Sequence, residues 1–277
     1  MKLIKPSVEI IKQEEYNLNH IFKFIELAGR TCYKSEDKLT EDSAKEFVDR
    51  MIKSGHGAML EHGTVYLTIP NLDITDDKIY KYILNSYSKV FIDSTNNYIT
   101  TNYRVLVEND WLNDLKYITA PHKIHAKRTT VKFICDRGVS HEFVRHRVFS
   151  FAQESTRYCN YTKDKFNNEL TFIIPCWIKD LKEGNYYAHC EYHHDKYDLS
   201  KKWFSVCMDL ELVYIKLIKE GWKPQEARTI LPNSLKTELI MTGFNSDWQH
   251  FFELRCAPNA HLQAKELADM LKDKFNK

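Results

Sequence analysis

Residues 145–157 read Arg145-His146-Arg147-Val148-Phe149-Ser150-Phe151-Ala152-Gln153-Glu154-Ser155-Thr156-Arg157. Three arginines, one histidine, two serines and a Gln-Glu pair fall within this stretch. A guanidinium is planar and permanently charged, so it grips phosphate oxygens in pairs. Serine hydroxyls add short donors, and Gln and Glu can read the polar edge of a base. Phe149, Phe151 and Ala152 are interleaved with these groups. They draw the segment against a core, which a solvated basic turn would not need. The segment reads as a nucleotide-type anion site on the edge of a folded body.

Working outward, Ser140 can cap a short helix that carries Glu142 and delivers Arg145-His146-Arg147. Lys127–Cys135 and Thr171–Trp177 are β-rich, and residues 235–242 form a further strand. Residues 3–11 predict a strand, and 64–69 another that ends at Pro70. Ile21, Phe22, Phe24, Ile25 and Ala28 stand at helical spacing within 17–31. Thr40 can cap a second helix whose apolar face is Phe47, Val48, Met51 and Ile52 and which Gly55 can end. The pattern is helical from about 185 to 220, again from Pro224, and over 259–275. Ser246-Asp247-Trp248-Gln249 has the form of a capping box opening a helix that buries Trp248, Phe251, Phe252 and Leu254. The expected class is α+β, one domain over 1–277 with a central β-sheet and flanking helices. Residues 71–125 read as an inserted, mostly helical excursion.

Bulk properties mainly exclude. The 277 residues carry a net charge of only +2, so a polyanion partner has no support from composition, and anion binding must be local. The seven cysteines are scattered, odd in number and never spaced Cys-x-x-Cys, which argues against a disulfide framework or zinc ribbon and for a reducing, cytoplasmic setting. No leader-like apolar region opens the chain, and no run of ~18 apolar residues suggests a membrane span. With eight glycines there is no Gly-x-Gly-x-x-Gly or Gly-Lys-Ser/Thr loop, so Rossmann and P-loop readings lack their phosphate cradle.

Three other features bear on chemistry. His56 and His62 flank Ala58 and Glu61 but stand six residues apart, which is poor helical metal spacing. His189 and His193, beside Cys190 and His194, have the better i,i+4 spacing without a convincing open site. Arg228 and Arg255 each follow apolar stretches, where spacing alone makes them surface ion-pair partners or, for Arg255, a counterpart of the helix dipole. No metal is expected.

Arg145-His146-Arg147 followed by seven residues and Ser155 resembles the signature of the flavin-dependent thymidylate synthases (ThyX). Gly55-His56 through Glu61-His62, Ala227-Arg228 through Leu231-Pro232, and Trp248-Gln249-His250-Phe251 through Arg255, with His261 and Gln263 after it, resemble three further elements of that family in the same order. The likeness covers roughly 40–70 and 126–270. It implies an α+β homotetramer with sites shared between subunits, each holding FAD and dUMP. The implied reaction is reductive methylation of dUMP to dTMP, with methylenetetrahydrofolate as carbon donor and NADPH as reductant.

By position, the resemblance implies FAD contacts for Arg145, His146, Arg147, Gln153, Asn245, Ser246 and His250, with Ala58 beside the flavin. It implies dUMP contacts for Glu142, Arg145, Gln153, Glu154, Ser155, Thr156, Arg157, Arg228 and Arg255, and gives Arg255 a catalytic role beside the uracil. Ala58 stands where the family usually carries Ser or Thr, and Phe244-Asn245-Ser246 where some members have Asn-x-Arg.

Three readings compete. A classical thymidylate synthase needs a cysteine nucleophile, and Pro175-Cys176 is the one Pro-Cys here, although Cys176 reads as a buried strand residue. A nucleic-acid-binding module could use 145–157, against the near-neutral charge. A metal-dependent hydrolase built on the histidines is third.

Overall fold

Pro6 has no N–H to give to a β-ladder, and the first strand breaks there. The single strand expected over 3–11 is two, β1 (Lys2–Ile4) and β2 (Ser7–Ile11), and they enter different sheets. The computed structural model describes residues 1–73, 76–187 and 198–276. Among these residues the expected central sheet is three smaller ones. No helix in them is long and apolar enough to cross a membrane. His189, Cys190, His193 and His194 lie outside the described residues.

The largest sheet is antiparallel, in the order β2, β6 (Arg128–Asp136), β10 (Lys236–Phe244) and β7 (Ser150–Gln153). Side chains alternate across its faces. Val131, Phe133, Cys135, Leu239 and Met241 are buried against α5 (Arg137–Phe143), α8 (Asn245–Arg255) and α9 (Leu262–Phe275). On the opposite face Ala152 and Ile240 pack with Ala28 of α1 (Leu18–Tyr33). The helix α1 buries Ile21 and Ile25 as its spacing predicts, and Asn17 caps it by accepting from the His20 backbone N–H at 2.9 Å.

Residues 71–125 are not mostly helical. They supply β4 (Lys89–Ile92) and β5 (Asn96–Asn102), which join β3 (Thr64–Pro70) in the order β3-β5-β4. The turn between them is local chemistry, because Asp93 Oδ1 accepts from the Thr95 and Asn96 backbone N–H groups at 2.8 Å each. Two short helices, α3 (Asp76–Ile83) and α4 (Tyr103–Glu108), flank the strands. Ile99, Leu106 and Tyr82 share one core with Ile21 and Ile25 of α1 and Phe47 and Val48 of α2 (Ser43–Lys53). This lobe is therefore continuous with the body.

The third sheet sets β1 between β8 (Thr171–Ile173) and β9 (Gly184–Asn185). It shares a core with α6 (Leu199–Lys219) through Leu3, Phe172, Phe204, Cys207 and Tyr214. Strand β8 stops before Pro175, so Cys176 lies in the following turn and not in a strand. A single turn, α7 (Pro224–Ala227), precedes Arg228.

Several caps differ from expectation. The second helix starts at Ser43, whose hydroxyl accepts from the Thr40 N–H, so Thr40 is not the cap. Asp136, not Ser140, caps α5 by accepting from the Val139 N–H at 2.8 Å. Helix α8 begins two residues early, capped at Phe244 and not Ser246, with Asp247 accepting from the Phe244 N–H, and Leu254 is 49% exposed where burial is expected.

Gly243 on β10 lets Phe149 of the 145–157 segment lie against the sheet, since a Cβ there would stand 2.4 Å from Phe149 Cδ1. Overpacking of this kind costs about 1–3 kcal/mol. Gly243→Ala should lower the urea midpoint accordingly, and an unchanged midpoint would show that Phe149 is free to move.

Candidate active site

Asp136 fixes the entry to α5. Its Oδ1 caps the helix, and its Oδ2 accepts from Gln263 Nε2 of α9 at 2.8 Å. The chain then turns sharply, with the His146 N–H donating to Phe143 O and the Phe149 N–H to His146 O, both at 3.1 Å. Phe149 packs edge-on to Trp248 at 4.5 Å between ring centroids, and His146 lies 5.0 Å from Phe251. The apolar residues interleaved in the motif thus anchor it, as the sequence suggests.

The consequence is alternation. His146 is buried, while Arg145 and Arg147 on either side are exposed. The resemblance implies that His146 contacts FAD, whereas its ring is turned inward. Its Nε2 accepts from Arg255 Nε at 2.9 Å. Arg255 Nη1 donates to Glu142 Oε2 at 2.7 Å, and Nη2 to the Glu142 carbonyl. One guanidinium from the end of α8 therefore clasps α5 and the Arg-His-Arg loop together. Of its five N–H donors, one on each nitrogen is used, leaving two.

Electrostatics follow the geometry. Burial, with the cation of Arg255 beside it, lowers the His146 pKa to about 4. The ring is neutral at pH 7, as an acceptor from a guanidinium must be. The hydrogen bond from Arg255 lowers the Glu142 pKa and keeps it ionised.

Sheet alternation also parts Gln153 from Glu154. Gln153 pairs with Leu239 and donates through Nε2 to Ser140 Oγ at 2.8 Å and Thr237 Oγ1 at 3.2 Å. Glu154, 1% exposed, turns the other way and accepts from Tyr161 OH at 2.9 Å and Lys236 Nζ at 2.8 Å. Its carboxylate is committed to these internal partners. Lys236 and Lys34 also bind Glu238, and these groups line a polar cavity of about 270 Å³. The Ser155 N–H donates to Cys32 O at 2.9 Å, tying the loop to α1. Thr156 is buried, and Arg157 lies over the Tyr158 ring at 5.4 Å.

The remaining expected residues line exposed surface. Ala58 sits on a 3₁₀ turn and Arg228 at the end of α7. The side chain of His250 is 64% exposed, 3.5 Å from Glu253. Asn245 Oδ1 accepts from Thr129 Oγ1 at 2.7 Å, and Ser246 Oγ from Lys89 Nζ at 2.6 Å. Arg147, Arg157 and Arg228 make no salt bridge among the described residues, in contrast to Arg30, Arg104 and Arg255. Residues that sequence reasoning missed include Thr237, Lys236 and Lys89; Lys89 has no local signal, because its importance comes entirely from where β4 lands.

Metal and thiol chemistry find little here. His62 is buried and bonded to Thr242 Oγ1 at 2.9 Å, Glu61 pairs with Arg104 at 2.6 Å, and His56 is exposed, so the three do not converge. Among the described residues no group of three His, Cys, Asp or Glu is placed to hold a metal ion. Burial raises the pKa of Cys32, Cys135, Cys159, Cys176, Cys207 and Cys256. At Cys176 the Glu266 carboxylate adds to the effect. A thiolate nucleophile is disfavoured at each of them.

Residues 117–277 match the model of a family described as thymidylate synthase complementing protein. The flavin-dependent thymidylate synthase of Pyrococcus furiosus is 32% identical over 173 residues, covering 61% of this chain and 64% of that protein. That of Pyrococcus abyssi is 31% identical over 134 residues, covering 48% of each. That of Corynebacterium aurimucosum is 22% identical over 246 residues, covering 88% of this chain and 71% of that protein. The matched stretch thus spans about half to two thirds of the two Pyrococcus proteins. A UMP/dUMP methylase, PolB from Streptomyces cacaoi, bound with 5-Br dUMP, has a TM-score of 0.45 and 16% identity over 99% of this chain and 92% of its own. At that score the likeness carries no weight.

The depressed His146 pKa has a consequence for folding. In the unfolded chain the ring titrates near 6.5, and in the fold near 4. Between these values the unfolded state binds more protons, so stability is full above the upper value and falls as pH drops toward the lower, by on the order of 3 kcal/mol. His146→Gln, which keeps an acceptor for Arg255, should flatten this part of the stability–pH curve. Curves of equal slope for the two proteins would refute the assignment.

Proposed function

The chain belongs to the thymidylate synthase complementing protein family, and on that premise we propose that it is a flavin-dependent thymidylate synthase. The balanced reaction is dUMP, methylenetetrahydrofolate, NADPH and a proton going to dTMP, tetrahydrofolate and NADP⁺. The observation that carries this reading is the Arg255 fork. It joins the end of α8 to Glu142 and His146, which stand 113 and 109 residues earlier in the chain.

The exposed surface fits anionic ligands. In a chain of net charge +2, Arg147, Arg157 and Arg228 are exposed and have no carboxylate ion-pair partner among the described residues, so each has a charge to offer a phosphate. On this reading Arg145 and Arg147 hold FAD, with Gln153, Asn245, Ser246, His250 and the turn at Ala58 around it. His146 serves that side indirectly, by fixing the loop. Bound FAD would supply the hydride relay from NADPH. Ser155, Thr156, Arg157 and Arg228 take the dUMP phosphate, with Glu142, Arg145 and Gln153 lining the same ligand. Glu154 acts as a positioning residue through Lys236.

Arg255 is the catalytic residue of this proposal. Glu142 and His146 hold its guanidinium still while two donors remain for the uracil. A fixed cation beside N3 favours the ionised ring, each unit of pKa being worth about 1.4 kcal/mol, and the ionised ring has a more nucleophilic C5. No thiol is needed, which agrees with the raised cysteine pKa values. The exposed arginines also suit a homotetramer in which neighbouring copies complete each site.

The test is direct. The protein should take up FAD, lose flavin absorbance when NADPH is added without oxygen, and convert dUMP to dTMP with methylenetetrahydrofolate. Cys176→Ser should retain turnover. Loss of activity in that variant, with folding and FAD uptake intact, would point instead to a cysteine-dependent enzyme.

A further inference from the structure

Strand β4 belongs to the part of the chain that precedes the family match, which starts at residue 117. It is the edge strand of its sheet, and Lys89 is its first residue, paired with Thr100 of β5. From there Lys89 Nζ reaches across 157 residues of sequence to donate to Ser246 Oγ at 2.6 Å. It also lies 4.5 Å from the centre of the Phe244 ring, and the Arg128 guanidinium lies 5.6 Å from the same ring. The exposed Lys127 is adjacent, its carbonyl accepting from the Asn245 N–H at 2.9 Å.

Three cations gather here against two carboxylates, Glu61 and Asp247, which both attract Arg128. Lys89, Lys127 and Arg128 make no salt bridge among the described residues. Asp247 is present, but its Oδ2 accepts from the Phe244 N–H. Arg128 spends its donors on the Glu61 carbonyl and Thr64 Oγ1, and burial pulls its pKa down to about 10 against the opposing pull of Tyr66, Glu61 and Asp247. Lys89 is half-buried along its stem, and the hydrogen bond to Ser246 at its exposed end directs the ammonium toward that residue. Of three ammonium donors one is used on Ser246. A lysine held this way, with donors to spare, presents a point charge suited to a phosphate.

We infer that Lys89, carried by the inserted lobe, is a phosphate-binding residue of the cofactor site at Asn245 and Ser246. The inference rests on the functional reading above, and the ligand class is the diphosphate of a flavin dinucleotide. The lobe then does more than enlarge the core, because it adds a third cation beside Lys127 and Arg128 of the family-like part of the chain.

The experiment compares FAD with riboflavin, which lacks phosphate, by flavin fluorescence titration of the full chain. Lys89→Met keeps the stem over Phe244 and removes the charge. It should weaken FAD binding about ten-fold, the scale of one charge-assisted hydrogen bond, and leave riboflavin binding nearly unchanged. Lys89→Arg should keep the preference for FAD. Should Lys89→Met fail to fold, Lys89→Gln retains a donor to Ser246 and is expected to show the same selective loss. Equal weakening of both flavins, or unaltered FAD binding, overturns the inference and reduces Lys89 to a latch between lobe and body. Failure of the wild-type chain to bind FAD overturns the functional reading, and this one with it.

Discussion

Arg255 is the interaction on which the site depends. Its side chain is 14% exposed, so its charge would be costly without compensation. Compensation comes from the ionised Glu142 and from His146, which can serve only because it is neutral. The two requirements are coupled, since the guanidinium helps suppress the imidazolium that would repel it. Once the clasp is closed, α5, α8 and the loop after α5 hold one arrangement. With His146 turned in, Arg145 and Arg147 face outward.

The sheet beneath supplies the second constraint. Successive residues of β7 lie on opposite faces, so Gln153 reaches Ser140 and Thr237 while Glu154, just beyond the strand, joins the lysines on the other side. There Glu238 collects Lys34, Lys132 and Lys236. Burial alone would raise the Glu238 pKa, but the lysines outweigh it and the carboxyl is held well below its usual range. A buried network of this kind contributes geometry more than stability. It fixes the end of β7, and so the start of the Ser155–Arg157 loop, which the Cys32 carbonyl also holds.

The lobe formed by β3, β4 and β5 changes how the chain as a whole is understood. Its strands share a core with α1 and α2, and α1 packs on the back of the main sheet through Ala28. The lobe therefore has a continuous mechanical connection to the loop that Cys32 anchors. It also ends against Phe244 and Ser246, at the opening of the helix that carries Arg255.

Much of this was legible in the residues themselves. Apolar spacing marks α1, the core strands β3, β6 and β10, and the aromatic face of α8, because burial imposes a period on any element that lies against a core. The cluster at 145–157 and its companions near 55–62, 227–232 and 248–255 carry the family resemblance, because they stand together in one order along the chain. Other features had no local signature. Pro6 splitting one strand between two sheets, the strands hidden in 71–125, the inward turn of His146, the commitment of Glu154 to Lys236 and the arrival of Lys89 beside Ser246 all depend on contacts between distant parts of the chain. Sequence determines which side chains can bear charge or bond hydrogen. Which partner each one meets, and so whether it faces a ligand or the interior, is decided only when strand register and packing bring remote elements within reach.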